Sequence, residues 1–223
     1  MPSSTIDTVL FDIDDTLCTY RRSAAELLGV AFERVGVSPF FAAEDYFARY
    51  AEFVPRTDTV EELREKAFGA IAADAGHETD LGRAVARAYA AERDHRDVLA
   101  LPGALEAVDA LSEYRIGVVT NGAPSMQAQK LDGLGLTDAF EVVVHGGYDA
   151  PAKPAPEPFH RALSALDSTT ERTLHVGNSL RADVAGAQAA GVGAVHVPAH
   201  PEGEPHVPEY TLESLHELPD ILH

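Results

Sequence analysis

Short apolar runs alternate with helical stripes over most of this chain. Residues 6–13 (IDTVLFDI) hold Val9, Leu10 and Phe11 in a row between polar positions. A run this short, apolar on successive residues, predicts a strand covered on both faces. Residues 116–120 (IGVVT), 140–144 (FEVVV), 173–177 (TLHVG) and 194–197 (AVHV) have the same character. Between them the apolar period changes. Leu105, Val108 and Leu111 recur every three positions, as do Ala128, Leu131 and Leu134. Phe159, Ala162, Leu163 and Leu166 fit the i, i+3, i+4, i+7 template, and Leu180, Val184 and Ala187 fit i, i+4, i+7. These are helical faces. Strands alternating with helices predict an α/β fold: a mostly parallel sheet in three layers with helices on both sides.

Residues 20–97 break the alternation and read as helices only. Ser23-Ala-Ala-Glu26 and Thr59-Val-Glu-Glu62 match the capping box, which satisfies the first free amides of a helix. Leu63, Ala67, Ala70 and Ile71 make one apolar face, and Leu81, Val85 and Tyr89 another. Pro39 and Pro55 mark turns. The expected organisation is therefore a core of residues 1–17 and 98–223, with a helical insertion at 18–97. Hinges are expected at 17–20 and 98–103. An insertion placed just after a strand's carboxyl end lies where open α/β sheets bind ligands, which suits a lid.

Charge changes the picture more than size does. The 223 residues carry 36 Asp plus Glu against 17 Lys plus Arg, a net −19. That balance argues against nucleic acid and against anionic membranes as partners. Acid is scattered along the chain, and lysine occurs only at Lys66, Lys130 and Lys153. A salt-rich host cytoplasm explains such a surface, because self-repulsion is screened there; a basic partner protein or an ordinary acidic enzyme are the other readings. The single cysteine, Cys18, forms no intrachain disulfide and reads as a packed thiol. The N-terminus lacks the pattern of a signal peptide, and no run is long enough to span a membrane, so a cytoplasmic location is expected; the high charge and the self-contained insertion lean towards a monomer.

Four segments carry candidate chemistry, each at a predicted strand's carboxyl end. The first is Asp12-Ile-Asp14-Asp15-Thr16. Alternation puts Asp12 and Asp14 on one face, where two carboxylates repel. The pair suits a divalent cation, or a nucleophile beside a general acid/base, or else it is a solvated acidic turn. The second is Thr120-Asn121-Gly122, a hydroxyl, an amide and a glycine opening a helix; it is either a cradle for phosphate oxygens or an ordinary capped turn. The third is Lys153, between prolines in a stiff loop, a point cation for carboxylates and phosphate or a surface lysine. The fourth is Gly177-Asn178-Ser179-Leu-Arg-Ala-Asp183, oxygen donors for a hard cation or a helix cap with an acid in its first turn. Their order and placement are what is specific.

In these four motifs the chain resembles the haloacid dehalogenase-like hydrolases, the large superfamily of aspartate-nucleophile phosphatases, over essentially its whole length. Residues 12–16 match the DxDxT signature; Thr120, Lys153 and residues 177–183 match the second, third and fourth motifs. The insertion resembles the cap of the capped phosphatase subgroup, and residues 210–223 resemble the closing strand and helix. The resemblance implies a Rossmann-like core and a Mg²⁺-dependent phosphatase acting on a small phosphorylated metabolite. It implies Asp12 as nucleophile, forming an aspartyl-phosphate, and Asp14 as general acid/base. It implies Thr120, Asn121 and Lys153 as phosphate ligands, and Asp12, Asp14, Asn178 and Asp183 around Mg²⁺. A sugar phosphomutase and a non-catalytic scaffold are the alternatives. Dehalogenase members lack the second aspartate, so Asp14 points to phosphate chemistry.

One position departs from the family pattern. The fourth motif usually reads GDSxxxD, and Asn178 replaces its first acid with an uncharged ligand. Either Asp183 takes over much of the anionic role or metal affinity falls, and Asp183→Ala is expected to lose far more Mg²⁺ affinity than Asn178→Ala. Arg21, Arg22, Arg49 and Arg56 either reach the substrate's far end or pair with surface carboxylates. His145 reads as an exposed loop histidine.

Overall fold

The computed structural model describes residues 5–53, 57, 59–199 and 206–222. Met1–Thr19 with Val98–His223 form one compact unit, and Tyr20–Asp97 form the other. Pro55 and Arg56 lie outside the described residues.

In the larger unit, β1 (Thr8–Phe11) is fully buried and central. It pairs in parallel with β4 (Arg115–Thr120) and β6 (Thr173–Gly177), Phe11 lying opposite both Val118 and Val176. β5 (Val142–His145) extends the sheet beyond β4, and β7 (Gly193–His196) and β8 (Tyr210–Thr211) extend it beyond β6. The order β5-β4-β1-β6-β7-β8 reverses direction between β1 and β6, the switch point where such sheets leave a crevice for ligands. A separate two-stranded sheet pairs β2 (Cys18–Tyr20) with β3 (Val98–Ala100).

β1 is shorter than its apolar run. Past Phe11 the chain turns: the amides of Thr16, Leu17 and Cys18 all donate to the Ile13 carbonyl, and Asp15 has φ 54°. An aspartate tolerates that left-handed conformation better than a branched residue would. The run at 140–144 becomes Val142–His145, moved towards its carboxyl end, and that at 194–197 becomes Gly193–His196, moved one residue towards its amino end.

Two helical faces differ from the expected stripes. In α5 (Ala104–Ala110) Leu105 is exposed, and Ala104, Ala107, Val108 and Leu111 face inward, following i, i+3, i+4, i+7. In α6 (Pro124–Leu134) Ala128 is exposed, and the inward positions next to Leu131 are Gln127 and Lys130. α7 (Glu157–Ala165) places Phe159, Ala162 and Leu163 against Leu10, Val119 and Val144. Burying each such large side chain contributes roughly 1.5–3 kcal/mol. The stripe at 180–187 divides into a π-helical turn, Leu180–Val184, and a short α8 (Ala185–Ala190). Ser179 caps that turn through Ala182, and its carbonyl accepts from both Asp183 and Val184. The chain closes with a 3₁₀ helix, Leu215–Ile221.

The smaller unit holds α1 (Ala24–Val35), α2 (Ala43–Phe53), α3 (Val60–Asp74) and α4 (Thr79–Glu92). Ser23 and Glu26 form the reciprocal capping box, and Thr59 accepts from the Glu62 amide. Leu27, Phe32, Leu63, Phe68, Val85 and Tyr89 form its core. A Cβ on Gly82 would overlap the Phe68 carbonyl, so glycine lets α3 and α4 approach closely. Among the described residues, no helix is long and apolar enough to cross a membrane.

Candidate active site

The carboxyl ends of β1, β4 and β6 bring together Asp12, Thr120 and the turn that begins at Gly177. Asp12 follows β1 directly, its amide donating to Val176 O at 2.9 Å. The Lys153 ammonium donates to Asp12 Oδ1 at 2.8 Å, to Val119 O at 2.6 Å and to Asp183 Oδ1 at 2.5 Å. Each of its three protons thus has an acceptor. Asp12, Lys153 and Asp183 are all buried, so Lys153 is no surface lysine.

Burial and crowding set the charges. Burial chiefly pushes the Asp12 carboxyl up to about 7; Lys153 opposes the rise, while Asp183 and Asp14 add to it. Burial also pushes Asp183 up, but Lys153 and a hydrogen bond from His175 outweigh it and hold the group below the ordinary carboxylate range. Burial alone would pull Lys153 down, yet Asp12 and Asp183 keep it raised and charged. His175, inside β6, is lowered by burial and therefore neutral; its Nε2 donates to Asp183 Oδ1 at 3.0 Å. Asp183 Oδ2 accepts from the Ser179 amide at 3.0 Å. A Cβ on Gly177 would overlap the Asp183 carboxylate, so only glycine lets that group lie against the strand end.

Asn121 works through its side chain. Its Oδ1 accepts from the Lys153 amide at 2.8 Å and its Nδ2 donates to the Lys153 carbonyl at 3.0 Å, which fixes the Lys153 loop beside β4. Thr120 Oγ1 accepts from the Gly122 amide at 3.2 Å and from Gln127 Nε2 at 2.9 Å. Asp14, partly exposed, is held by Gln127 Nε2 at 2.7 Å and by the Lys130 ammonium. Asp12 and Asp14 therefore have separate lysines, which eases the repulsion expected between them without removing it. Asn178 is half-buried, with its Oδ1 accepting from Thr16 Oγ1 at 3.4 Å and its carbonyl facing His196 Nε2 at 2.9 Å.

The donors suit a hard cation in kind. They are all oxygens, and three carboxylates, Asp12, Asp14 and Asp183, act on one another there. Among the described residues, no three His, Cys, Asp or Glu side chains converge as a cage. Mg²⁺ needs no such cage, being held by one or two carboxylates with waters and substrate oxygens. Asp12 and Asn178 fit that sparse arrangement. Asp183 fits it less well, with its oxygens already engaged by three donors.

Several residues sit elsewhere. Arg21 pairs with Asp97, Arg22 with Glu92, and Arg49 with Glu52 and Asp74. His145 is not an exposed loop residue: it ends β5, half-buried, with Nδ1 at 3.1 Å from Gly122 O. Burial pushes the Cys18 thiol up to about 12, so it is unreactive. Sequence reasoning missed Gln127, Lys130 and His175. The available signal was polar residues at inward positions, in α6 and in the apolar run of β6.

A family model described as haloacid dehalogenase-like hydrolase matches residues 6–191. The phosphoserine phosphatase of Thermus thermophilus is 30% identical over 234 residues, spanning 88% of this chain and 92% of its own. The ribulose-1,5-bisphosphate 5-phosphatase of Halopiger xanaduensis is 29% identical over 207 residues, spanning 84% and 82%. The magnesium-bound structure of the putative HAD-hydrolase YfnB from Bacillus subtilis superposes with a TM-score of 0.74 at 26% identity, covering 98% of this chain and 99% of the other.

Proposed function

The chain belongs to the haloacid dehalogenase-like hydrolases, and from that premise we propose that it is a Mg²⁺-dependent phosphatase of small phosphate monoesters. One observation carries the reading. A buried carboxylate, Asp12, stands at the sheet's switch point with an ammonium 2.8 Å away. Lys153 aims the carboxylate and opposes the rise that burial imposes on its pKa, which favours the ionised form a nucleophile needs.

In the first step an Asp12 carboxylate oxygen attacks phosphorus, the bond from phosphorus to the ester oxygen breaks, and Asp14 gives its proton to that oxygen. The product alcohol leaves an aspartyl-phosphate. In the second step Asp14 takes a proton from water, the water oxygen attacks phosphorus, and the Asp12–phosphorus bond breaks. Inorganic phosphate leaves, Asp12 is again a carboxylate, and Asp14 again carries a proton. Thr120 has both acceptor positions filled, by Gln127 and Gly122, so its hydroxyl proton is left to donate to a phosphoryl oxygen. The Asn121 main-chain amide is the second donor. Lys153 holds the nucleophile and shares its charge with the phosphoryl group.

Mg²⁺, held by the Asp12 carboxylate, the Asp14 carbonyl and Asn178, would supply charge neutralisation and orientation of the phosphoryl group. Asp183 holds Lys153 in place. The helical unit is read as the cap that selects among small esters. The charge of −19 supports a salt-rich cytoplasm as the setting and a monomer as the working form.

The test is phosphate release from a generic aryl phosphate with and without Mg²⁺, alongside trapping of the covalent intermediate. Wild type should release phosphate only with metal, and digestion should yield a hydroxylamine-labile phosphopeptide containing Asp12. Turnover by Asp12→Asn equal to wild type would overturn the reading.

A further inference from the structure

Two side chains of α6 brace the site from behind. Gln127 and Lys130 lie three residues apart and so share one helical face. Gln127 is 0% exposed and Lys130 2%. Lysine is almost never buried so fully unless paired. Here the ammonium meets Asp14 Oδ1, while Gln127 Nε2 reaches Asp14 Oδ2 at 2.7 Å. Both oxygens of that carboxylate are therefore fixed by buried donors of one helix. The other proton of the Gln127 amide goes to Thr120 Oγ1 at 2.9 Å.

Simple packing does not account for the choice of residues. Among the described residues, Gln127 Oε1 is buried without a hydrogen-bond partner, which costs stability that an apolar residue of equal size would avoid. A Cβ on Gly122 would overlap the Gln127 amide, so the neighbouring turn is shaped around it. A buried group kept at a cost, with both donors spent on two residues of the site, indicates a role there.

We propose that Gln127 and Lys130 are positioning residues: together they orient the Asp14 carboxyl group, through both steps of its proton transfer, towards the leaving oxygen and then the attacking water, and Gln127 turns the Thr120 hydroxyl into a donor. This rests on the roles of Asp14 and Thr120 proposed above. Neither residue touches the reacting atoms, so each acts through another side chain.

Leaving-group dependence separates this role from a structural one. An alkyl phosphate needs its leaving oxygen protonated, whereas 2,4-dinitrophenyl phosphate does not. With saturating Mg²⁺, Lys130→Met should lose about 100-fold in kcat on an alkyl phosphate and under about 3-fold on the dinitrophenyl ester, from the usual worth of positioned acid catalysis. Lys130→Arg should recover most of the alkyl rate. Gln127→Met should slow both esters, the alkyl one more, because Thr120 serves both. Lys130→Met added to Asp14→Asn should cost nothing further. Asp14 is partly exposed, so Lys130→Met strands no buried charge, and the double variant carries no charge at either position. Equal losses on the two esters, no loss, or a further loss in the double variant would overturn the proposal. Turnover of both esters by Asp12→Asn would instead remove the parent reading, and this inference with it.

Discussion

Lys153 Nζ lies 2.8 Å from Asp12 Oδ1, and both side chains are more than nine-tenths buried. The same ammonium is 2.5 Å from Asp183, so one cation serves two buried carboxylates. Removing it leaves like charges facing each other in a site with little water. Lys153→Met should abolish turnover and destabilise the fold by roughly 3–5 kcal/mol, the usual cost of breaking a buried pair. Lys153→Arg should fold better and still be inactive, because a planar guanidinium cannot reach three acceptors arranged around a point. Thermal melts with phosphate-release assays check both; full activity in the arginine variant would mean that only the charge matters.

Asn178 and Asp183 should separate in a metal titration, in the sense opposite to the sequence expectation. Asp183 spends its oxygens on Lys153, His175 and the Ser179 amide, whereas the Asn178 side-chain oxygen has one long contact, to Thr16. Asn178→Asp adds a charged ligand and should tighten Mg²⁺ by about tenfold, roughly 1.4 kcal/mol. Asp183→Asn should shift the Mg²⁺ Kd little and lower kcat, since Lys153 loses a partner. Calorimetry supplies the Kd. A larger metal loss in Asp183→Asn than in Asn178→Ala would restore Asp183 as a ligand.

Much of this site was legible because its signals are local. The apolar runs, the polar residues closing them and the glycine at 177 all fall within a few positions of one another. Gln127 and Lys130 were not legible in that way. Their partner Asp14 is more than a hundred residues away, and the stripe Ala128, Leu131, Leu134 placed the inward face of α6 about one residue off. The π-helical turn was invisible for a related reason: apolar positions at 180, 184 and 187 fit an α-helix equally well, and only the Ser179 cap with the approach of Asp183 to Gly177 selects the wider turn.

Asp12 should make the metal-free protein lose stability as the medium becomes less acidic. Folding raises its pKa from 3.8 to about 7, chiefly by burial. Below pH 3.8 the carboxyl is protonated in both the folded and the unfolded chain, and its contribution is fully present. Between 3.8 and about 7 the unfolded chain has released the proton and the folded chain retains it, so stability falls as pH rises. Asp12→Asn cannot ionise and escapes this loss. Asp183 acts in the opposite sense, its stabilisation being present above 3.8 and lost in acid, but it is common to both proteins. Metal-free Asp12→Asn should therefore melt higher than wild type at pH 8, by up to about 4 kcal/mol, with the gap closing near pH 4. A gap independent of pH would show that Asp12 is ionised at no cost.

The net charge of −19 makes salt the last variable to test. The ion pairs of the surface are too exposed to offset that self-repulsion: Arg83–Asp80 and Lys66–Glu62 leave each side chain more than two-fifths accessible, and such pairs contribute about 0–1 kcal/mol. Screening is the remaining source of relief, and the Debye length falls from about 10 Å at 0.1 M to about 3 Å at 1 M. The buried contacts of Lys153 with Asp12 and Asp183 are shielded from salt and change little. The melting temperature should therefore climb steadily as KCl rises from dilute to molar concentrations, while catalytic geometry is preserved. Sucrose separates screening from general exclusion at the surface, since it favours the compact state without neutralising charge. A melting temperature indifferent to KCl, or one that sucrose raises equally, would place this chain among ordinary acidic enzymes instead of those adapted to salt.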